Sequence, residues 1–291
     1  MIPYKQGDCT GPISYGMNVL NIFKLDGQVI IITGGAGLLG KQYTSAIAEA
    51  GGIPVVADIN ADGALEVAKA VGAKANTQTL GLYVDVTDKD SVTALVQKTL
   101  KKFGRIDGLV NNAALDPKFE RLHANEHTNT FENYPLELWN QSLAVNLTGM
   151  FLCAQAVAPA MLSAGKGSIV NIASTYGLVG PDQRLYEKTD PKAKKSFKPV
   201  IYSVSKSAVL GLTRYLATYW AGMGIRVNTL TPGGVYNDHD DEFVKRYSYR
   251  TPLGRMAKKD EYNGAVVFLL SGASSYMSGS NLVVDGGWTA W

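Results

Sequence analysis

Tyr202 and Lys206 lie four residues apart in a segment, 201–220, whose apolar residues recur with helical spacing. On a helix, side chains at this separation share one face and can converge. A lysine ammonium beside a phenol favours the phenolate, so it lowers the tyrosine pKa from its usual value of about 10. Such a tyrosine can exchange a proton with a substrate hydroxyl. The alternative is that the pair only reflects helix packing.

A second group with chemical meaning is the glycine-rich stretch that follows the apolar run 29–33. Gly34 and Gly35 open it, and Gly35, Gly37 and Gly40 have the spacing G-x-G-x-x-G. Between a strand and a helix, such glycines allow a tight turn, and the helix N-terminus receives the pyrophosphate of a dinucleotide. A glycine-rich turn without a ligand is the alternative.

An acid at the end of the next apolar run bears on which dinucleotide would bind. Asp58 follows Gly34 at the distance where a carboxylate accepts hydrogen bonds from the adenosine ribose, and it would repel a 2′-phosphate. This favours NAD over NADP. Asp58 is also suited to capping the following helix, although Asn60 and Asp62 can do the same. Asp85, after the third run, is a candidate for adenine contact or a simple loop residue.

Regular elements must position these residues, and the chain alternates short apolar runs with helical segments. Runs rich in β-branched residues predict strands at 29–33, 53–58, 80–86, 108–112, 168–174, 225–232 and 281–287. Helical periodicity predicts helices at 39–50, 62–71, 88–103, 135–164, 202–221 and 259–271. Continuous apolar strands are typical of parallel sheets covered on both faces. We therefore predict an α/β fold with a doubly wound parallel sheet of about seven strands, in one domain spanning 1–291.

Length and composition argue against several classes of protein. The 291 residues are 46% hydrophobic and 18% charged, as in globular proteins. The net charge of +3 is too small to favour a nucleic-acid partner. Cys9 and Cys153 show no metal-ligand spacing, so we predict neither a disulfide framework nor a metal site. We see no signal peptide and no apolar run of membrane-spanning length, and we expect a cytoplasmic protein without a membrane partner.

Two long connections interrupt the alternation, at about 113–134 and about 175–200. Both follow predicted strands directly. Ligands of open α/β sheets bind at the carboxyl ends of the strands, and loops of this length are usually functional. We expect both loops to lie beside the ligand.

Several motifs in a fixed order resemble those of the short-chain dehydrogenase/reductase family in its compact form, over residues 24 to 288. They are TGGAGLLG (33–40), NNAA (111–114), AVNLTGMF (144–151), NIAST (171–175), YSVSK (202–206), TPGGV (231–235) and VDGG (284–287). The resemblance implies a Rossmann-like fold and an enzyme that transfers a hydride between a nicotinamide dinucleotide and an alcohol or ketone.

The resemblance also implies roles for individual residues. Tyr202 would be the general acid/base, Ser174 would hold the substrate oxygen, Lys206 would lower the Tyr202 pKa and bind ribose, and Asn146 would hold a water that links Lys206 to solvent. The implied cofactor-binding positions are Gly34, Gly35, Gly37, Leu38, Leu39, Asp58, Ile59, Asp85, Val86, Asn112, Ala113, Ala114, Tyr202, Lys206, Pro232, Gly233 and Val235. Family members form tetramers or dimers through the two long helices, here 135–164 and 202–221.

The chain departs from the family pattern at three places. Leu38 occupies the middle glycine position of TGxxxGxG, a spacing closer to the extended members, which include sugar-nucleotide epimerases. Asn237 stands where the family has a threonine that holds the nicotinamide carboxamide. The connection between Ser174 and Tyr202 is about twice the usual family length, so a loop has been lengthened over the site.

This insertion is rich in cations. It carries Arg184, Lys188, Lys192, Lys194, Lys195 and Lys198. Such a run is either a solvated surface or a site for an anionic or polyhydroxylated substrate. The pattern PDxRxYE, with TRYLA and VDGGWTA, resembles members associated with surface-polysaccharide and sugar biosynthesis. We expect the insertion to act as a substrate lid, with Arg184, Ser174 and Tyr202 contacting the substrate.

The sequence therefore predicts an NAD-dependent oxidoreductase acting on a secondary alcohol or ketone of a small sugar derivative. One alternative is a sugar-nucleotide epimerase or dehydratase that uses bound NAD transiently. A 3-oxoacyl or steroid-type ketoreductase is another, and a silent dinucleotide-binding regulator is a third. Net production or consumption of NADH distinguishes the first two classes.

Overall fold

Seven parallel strands form one sheet in the computed structural model, which describes residues 18–116, 129–187 and 196–291. The strands are β1 (Val29–Thr33), β2 (Ile53–Asp58), β3 (Leu80–Tyr83), β4 (Gly108–Asn111), β5 (Gly167–Ile172), β6 (Ile225–Pro232) and β7 (Asn281–Val284). Their order across the sheet is β3-β2-β1-β4-β5-β6-β7. The predicted doubly wound, Rossmann-like α/β sheet is confirmed.

Helices cover both faces of this sheet. They are α1 (Leu38–Glu49), α2 (Ala61–Ala75), α3 (Lys89–Phe103), α4 (Leu136–Leu143), α5 (Gly149–Ala164), α6 (Val200–Tyr219), α7 (Asp241–Arg250) and α8 (Asn263–Leu270). A π-helical turn, Ala144–Thr148, joins α4 to α5, so the predicted helix 135–164 is one helical stretch with a widened turn in it. Short 3₁₀ turns at Thr175–Gly177 and Gln183–Tyr186 lie within the lengthened connection.

The apolar runs are continuous because each strand packs on both faces. In β1, Ile31 belongs to the core that includes Val157 of α5, beneath α3, α5 and α6. Ile30 and Ile32 point the other way and pack with Val266 of α8 and with α1. Successive strand side chains point to opposite faces, so neither face of the strand can be polar.

The sheet order places the predicted site residues at one edge. From β1 the chain winds through β2 to β3 on one side, and β4 begins the other half next to β1. The carboxyl ends of β1, β4, β5 and β6 therefore face the crevice where ligands bind in such sheets. The glycine turn, NNAA, NIAST and TPGGV all lie there.

The stretch Leu136–Ala164 is long and apolar enough to cross a membrane by length and composition alone. Our expectation that no run reaches this length was therefore wrong. In the structure, Cys153, Val157 and Met161 of this stretch are buried in the core against the sheet. Burial in an apolar core also raises the pKa of the Cys153 thiol to about 12.

The structure differs from the sequence prediction at several elements. Strand β7 ends at Val284 rather than at 287, α8 begins at Asn263 rather than at 259, and α2 continues to Ala75 rather than ending at 71. Strand β3 ends at Tyr83, so Asp85 and Val86 lie beyond it rather than within it.

Helix α7 was not predicted, although Phe243, Val244 and Tyr247 have helical spacing and pack together. Tyr247 is its one buried residue. Asp240 caps it by accepting a hydrogen bond from the Phe243 amide at 2.9 Å.

Candidate active site

A cavity of about 290 Å³ opens at the carboxyl ends of the strands. Of the predicted cofactor positions, those that line it are Leu38, Leu39, Asn112, Ala114, Tyr202, Lys206, Pro232, Gly233 and Val235. Ser174 lines it as well. The structure therefore brings the catalytic candidates and the nicotinamide end of the predicted cofactor site together.

The turn after β1 needs glycine for physical reasons. Gly34 has a φ of +63°, and a Cβ there would lie 2.9 Å from the Ala113 Cα. Asn112 fixes this turn, because its side-chain amide donates to the carbonyl oxygens of Thr33 and Gly34, each at 3.0 Å. A Cβ on Gly40 would collide with the Gly34 carbonyl oxygen, so α1 packs directly on the turn.

The N-terminus of α1 fits a dinucleotide pyrophosphate. Gly37 caps the helix and offers no side-chain hydrogen bond to the amides of the first turn. Those amides and the positive end of the helix dipole suit a diphosphate, and the bare glycine backbone permits close approach. Gly35 lies against β2, where a Cβ would meet the Val56 side chain at 2.7 Å.

Asp58 ends β2 and is buried beside this turn. Its Oδ2 accepts a hydrogen bond from the Ala36 amide at 2.9 Å, and its Oδ1 accepts one from the Asn60 amide at 3.0 Å. The cap of α2 is Asn60, whose side chain accepts from the Gly63 amide, so Asp58 is not the helix cap. Its carboxylate stands at the glycine turn, as a ribose-binding acid requires. Ile59, the next residue, is largely exposed.

The other predicted adenosine-side residues have local partners. The Asp85 carboxylate accepts hydrogen bonds from the Thr87 amide at 2.9 Å and the Thr87 hydroxyl at 2.7 Å. Val86 is buried against the start of α5, where a Cβ on Gly149 would meet it. Neither residue lines the cavity at Tyr202. The contacts of Asp85 are those of a simple loop residue.

The first turns of α6 carry Tyr202 and Lys206, and Ser174 follows β5. The Ser174 hydroxyl lies close enough to the Tyr202 phenol to lower its pKa, and both side chains line the cavity. Lys206 is only 2% exposed, and its Nζ donates to the Ile172 carbonyl oxygen at 2.8 Å. The lysine therefore lies against the end of β5 beneath the two hydroxyls.

Burial governs the ionisation of this pair. It raises the pKa of Tyr202 well above the usual phenol value, and Asp116 raises it further, while the Ser174 hydroxyl acts in the opposite direction. Burial lowers the pKa of Lys206 to about 8. The sequence predicted that Lys206 would lower the Tyr202 pKa, but Lys206 is not among the groups that shift it, and the net shift is upward because burial desolvates the phenolate.

Asn146 lies in the π-helical turn, and both ends of its amide bind protein groups. Its Oδ1 accepts from the Leu115 amide at 2.7 Å, and its Nδ2 donates to the Leu115 carbonyl at 2.9 Å and to the Ser205 hydroxyl at 3.2 Å. Asn146 therefore ties the segment after β4 to α6. The π-helical turn Ala144–Thr148 distorts the helix at this residue.

The predicted substrate residue Arg184 does not reach this cavity. Its guanidinium pairs with the Asp182 carboxylate at 2.7 Å, is 79% exposed, and lines a second cavity beside α7. Lys198, near the end of the insertion, lines the cavity at Tyr202 instead. Lys188, Lys192, Lys194 and Lys195 lie outside the described residues.

Sequence reasoning missed the aromatic wall of the cavity. Tyr176 and Tyr186 stand on one side, with their hydroxyl oxygens 3.2 Å apart. Phe243 and Tyr247 of α7 complete the wall, and Tyr247 stacks on Trp288 with ring centroids 4.2 Å apart. The density of aromatic residues after TPGGV was the available signal. Asn237 also lines the cavity.

Ligands of doubly wound sheets bind at this edge, and a glycine turn leading into a helix N-terminus suits a dinucleotide. Fold and site together define an oxidoreductase that uses a nicotinamide dinucleotide and acts on an alcohol group. The sequence model of the family described as Enoyl-(Acyl carrier protein) reductase matches residues 35–289. The chain belongs to the short-chain dehydrogenase/reductase family, as its motifs indicated.

Named relatives span nearly the whole chain. The D-threitol dehydrogenase of Mycolicibacterium smegmatis is 37% identical over 272 residues, which cover 92% of this chain and 95% of the relative. The galactitol 2-dehydrogenase (L-tagatose-forming) of Cereibacter sphaeroides is 32% identical over 281 residues, covering 94% of this chain and 100% of the relative.

A solved structure agrees with the fold. The crystal structure of a gluconate 5-dehydrogenase from Burkholderia cenocepacia, in complex with NADP and tartrate, superposes with a TM-score of 0.82 at 30% identity. The match covers 94% of this chain and 100% of that chain. These relatives are all dehydrogenases, so the alternative of a sugar-nucleotide epimerase or dehydratase receives no support.

Proposed function

We propose that this protein oxidises a secondary alcohol of a sugar alcohol or related polyol with NAD, or reduces the corresponding ketone with NADH. One observation carries the proposal: the side chains of Tyr202, Ser174 and Lys206 line one cavity, and that cavity adjoins the dinucleotide turn. A carbinol oxygen bound between the Tyr202 and Ser174 hydroxyls would have both a proton partner and a second hydrogen bond.

In this proposal, Ser174 holds the substrate oxygen and Tyr202 exchanges its proton. Bound nicotinamide would supply or accept the hydride at the carbinol carbon. In the direction of reduction, the neutral phenol of Tyr202 donates its proton to the carbonyl oxygen, and the raised pKa of Tyr202 keeps that proton available. In the direction of oxidation, the phenolate takes the hydroxyl proton.

Lys206 and Asn146 would assist this proton exchange by binding the cofactor and by positioning α6. The Lys206 ammonium has three donors, of which one binds the Ile172 carbonyl, so others remain for the ribose of the nicotinamide nucleotide. Asn146 would keep the segment after β4 in register with α6 through Leu115 and Ser205. We assign Asn146 a positioning role, with the water-holding role as an addition that rests on the family resemblance.

The preference for NAD rests on Asp58. Its buried carboxylate lies at the glycine turn, where it would bind the ribose hydroxyls and repel a 2′-phosphate. Fluorescence titration of NADH and NADPH tests this, and we expect tighter binding of NADH. Asp58→Asn, which removes the charge but retains the shape, should narrow the difference. Equal binding of the two cofactors by the unaltered protein would contradict the proposal.

The polyol class rests on the relatives and on the cavity. Two relatives act on threitol and galactitol by name, and the cavity presents tyrosine hydroxyls and the side chains of Asp116, Lys198 and Asn237. The best sequence candidate for binding an anion, Arg184, faces a different cavity. The test is NADH formation, followed by absorbance, with D-threitol, galactitol and simple secondary alcohols.

A second candidate is reduction of an acyl chain on a carrier protein, which the description of the family model favours. It predicts consumption of NADH or NADPH with an enoyl or 3-oxoacyl thioester and no activity on polyols. Activity on polyols with none on the thioester would support the first proposal, and the reverse result would replace it.

We also propose a homodimer or homotetramer built on α5 and α6. Phe151, Val204, Tyr215 and Tyr219 are apolar or aromatic side chains of these helices that remain exposed in the single chain. Tyr215 and Tyr219 stack on each other, with ring centroids 5.8 Å apart. Light scattering tests the assembly, and Tyr215→Glu should weaken it by placing a charge in the interface.

A further inference from the structure

Lys198 and Asp116 form an ion pair in the wall of the cavity at Tyr202. The Lys198 Nζ lies 2.8 and 2.7 Å from the two carboxylate oxygens of Asp116. Asp116 comes from the segment after β4, and Lys198 from the end of the insertion before α6. The pair therefore joins the two long connections across the site.

Several contacts hold the pair in place. The Lys198 side chain is 13% exposed and that of Asp116 is 32% exposed. The Lys198 ammonium lies over the ring of Tyr202, 4.0 Å from its centroid, and the Lys198 amide donates to the Gln183 side chain at 2.9 Å. The pair thus stands on the same tyrosine whose hydroxyl meets Ser174.

The pairing of Lys198 with Asp116 argues against an anionic substrate at this position. Among the described residues that line the cavity, Lys198 and Lys206 are cationic and Asp116 is anionic. Lys206 is held at the Ile172 carbonyl, whereas the charge of Lys198 is balanced by Asp116. A phosphate or carboxylate that drew Lys198 away would leave a partly buried carboxylate without its cation, which is unfavourable.

A substrate hydroxyl fits the pair better, because it is both a donor and an acceptor. It can accept from the ammonium, which has three donors, and donate to the carboxylate, which has about four lone-pair sites. We propose that Lys198 and Asp116 bind a hydroxyl on the carbon next to the reacting one, and so select polyols over alcohols with a single hydroxyl. This inference rests on the proposed dehydrogenase function and specifies its substrate.

The selectivity follows from desolvation. A substrate without the second hydroxyl would cover the pair, displace its water and return no hydrogen bond, and a site that binds a substrate hydroxyl rejects the analogue lacking it for this reason. One hydrogen bond to a charged group corresponds to a factor of about 10 to 100 in kcat/KM.

The test compares butane-2,3-diol with butan-2-ol, which differ in the vicinal hydroxyl alone, together with D-threitol. The unaltered protein should favour the diol by about 10- to 100-fold in kcat/KM. Lys198→Gln should reduce kcat/KM for the diol and threitol far more than that for butan-2-ol, so that the ratio falls towards one. Lys245→Gln, on α7 beside the second cavity, removes an equal charge outside the site and should keep the ratio.

The double variant Asp116→Asn, Lys198→Gln removes both charges and leaves no unpaired ion, so it serves if the single variant does not fold. It should also lose the preference for the diol over butan-2-ol. If the ratio of the two kcat/KM values is retained in these variants, even though both values fall, the pair only ties the loops together. Equal use of diol and monoalcohol by the unaltered protein would overturn the inference while the dehydrogenase function stood. Failure to oxidise any of the three alcohols would instead refute the proposed function.

Discussion

Tyr202→Phe is the most direct test of the candidate active site, because it removes one hydroxyl and keeps the ring. The ring contacts of Tyr202 survive in phenylalanine: the Lys198 ammonium over its face and the edge contact with Tyr176, with ring centroids 6.5 Å apart. What is lost is one hydroxyl beside Ser174, and a typical hydrogen bond contributes about 0.5–1.5 kcal/mol net. We expect the free energy of unfolding to change by about 1.5 kcal/mol or less.

The effect on turnover should be far larger. A general acid/base group contributes roughly 10²–10⁴-fold, which is about 3–5 kcal/mol of barrier. We therefore expect kcat to fall by at least about 100-fold, while NADH binds as before, because the glycine turn and Asp58 are untouched. Stopped-flow and steady-state absorbance at the NADH band measure kcat, and fluorescence titration measures the binding of NADH.

Tyr186→Phe is the matched control. Tyr186 lines the same cavity, and its hydroxyl has a partner as well, the Tyr176 hydroxyl at 3.2 Å. It lies away from Ser174 and Lys206 in the hydrogen-bond pattern, so its loss should change KM more than kcat. Near-normal kcat in Tyr202→Phe, or an equal loss in Tyr186→Phe, would refute the assignment of Tyr202 as the proton-exchanging group.

Three further predictions concern pH, the insertion and the glycine turn. Because burial raises the pKa of Tyr202 above the usual phenol value, its phenolate becomes populated only as pH rises, so kcat/KM for oxidation should increase with pH above neutrality. The kcat/KM for reduction should stay level until the pH reaches about 10, because the phenol remains protonated below that value. Matched pH profiles check both expectations, and a reduction rate that falls just above neutrality would contradict them. Arg184→Ala should leave polyol kcat and KM unchanged, since Arg184 lines the second cavity; a tenfold rise in KM would restore the lid hypothesis. Gly34→Ala should destabilise the protein by more than Gly104→Ala in thermal unfolding. Both glycines have a positive φ, which costs an alanine about 1–2 kcal/mol, but only a Cβ on Gly34 would also meet Ala113. Equal losses of stability in the two variants would contradict the argument from close approach.

The sheet was predictable because burial on both faces leaves a strong trace in the sequence. β1, β2 and β6 begin and end where their apolar runs do. Helix α7 left a shorter trace: Phe243, Val244 and Tyr247 share one face, and Asp240 caps its start. The helix has ten residues, so only these three positions carry its periodicity.

Some residues of the candidate site could be predicted from the sequence, and others could not. Positions on regular elements, such as Tyr202 and Lys206 on α6, could be placed from spacing alone. The choice between Arg184 and Lys198 could not, because it depends on the path of the insertion. One local signal was available: Asp182, two residues before Arg184, accepts from both its amide and its guanidinium. The sign of the Tyr202 pKa shift depends on burial, which spacing does not report.

The position of Tyr202 depends on how α6 is attached to β5, and two polar anchors make that attachment. Lys206 donates to the Ile172 carbonyl, and seven residues later, on the same face, Thr213 accepts from the Asn171 side chain at 2.9 Å. Both partners belong to β5, the strand that leads directly to Ser174. An apolar helix face can slide on a sheet at little cost, whereas buried hydrogen bonds fix one register, because any other leaves a polar group unpaired. Strand and helix are thus held at two points two turns apart, and the tyrosine–serine contact follows from that register.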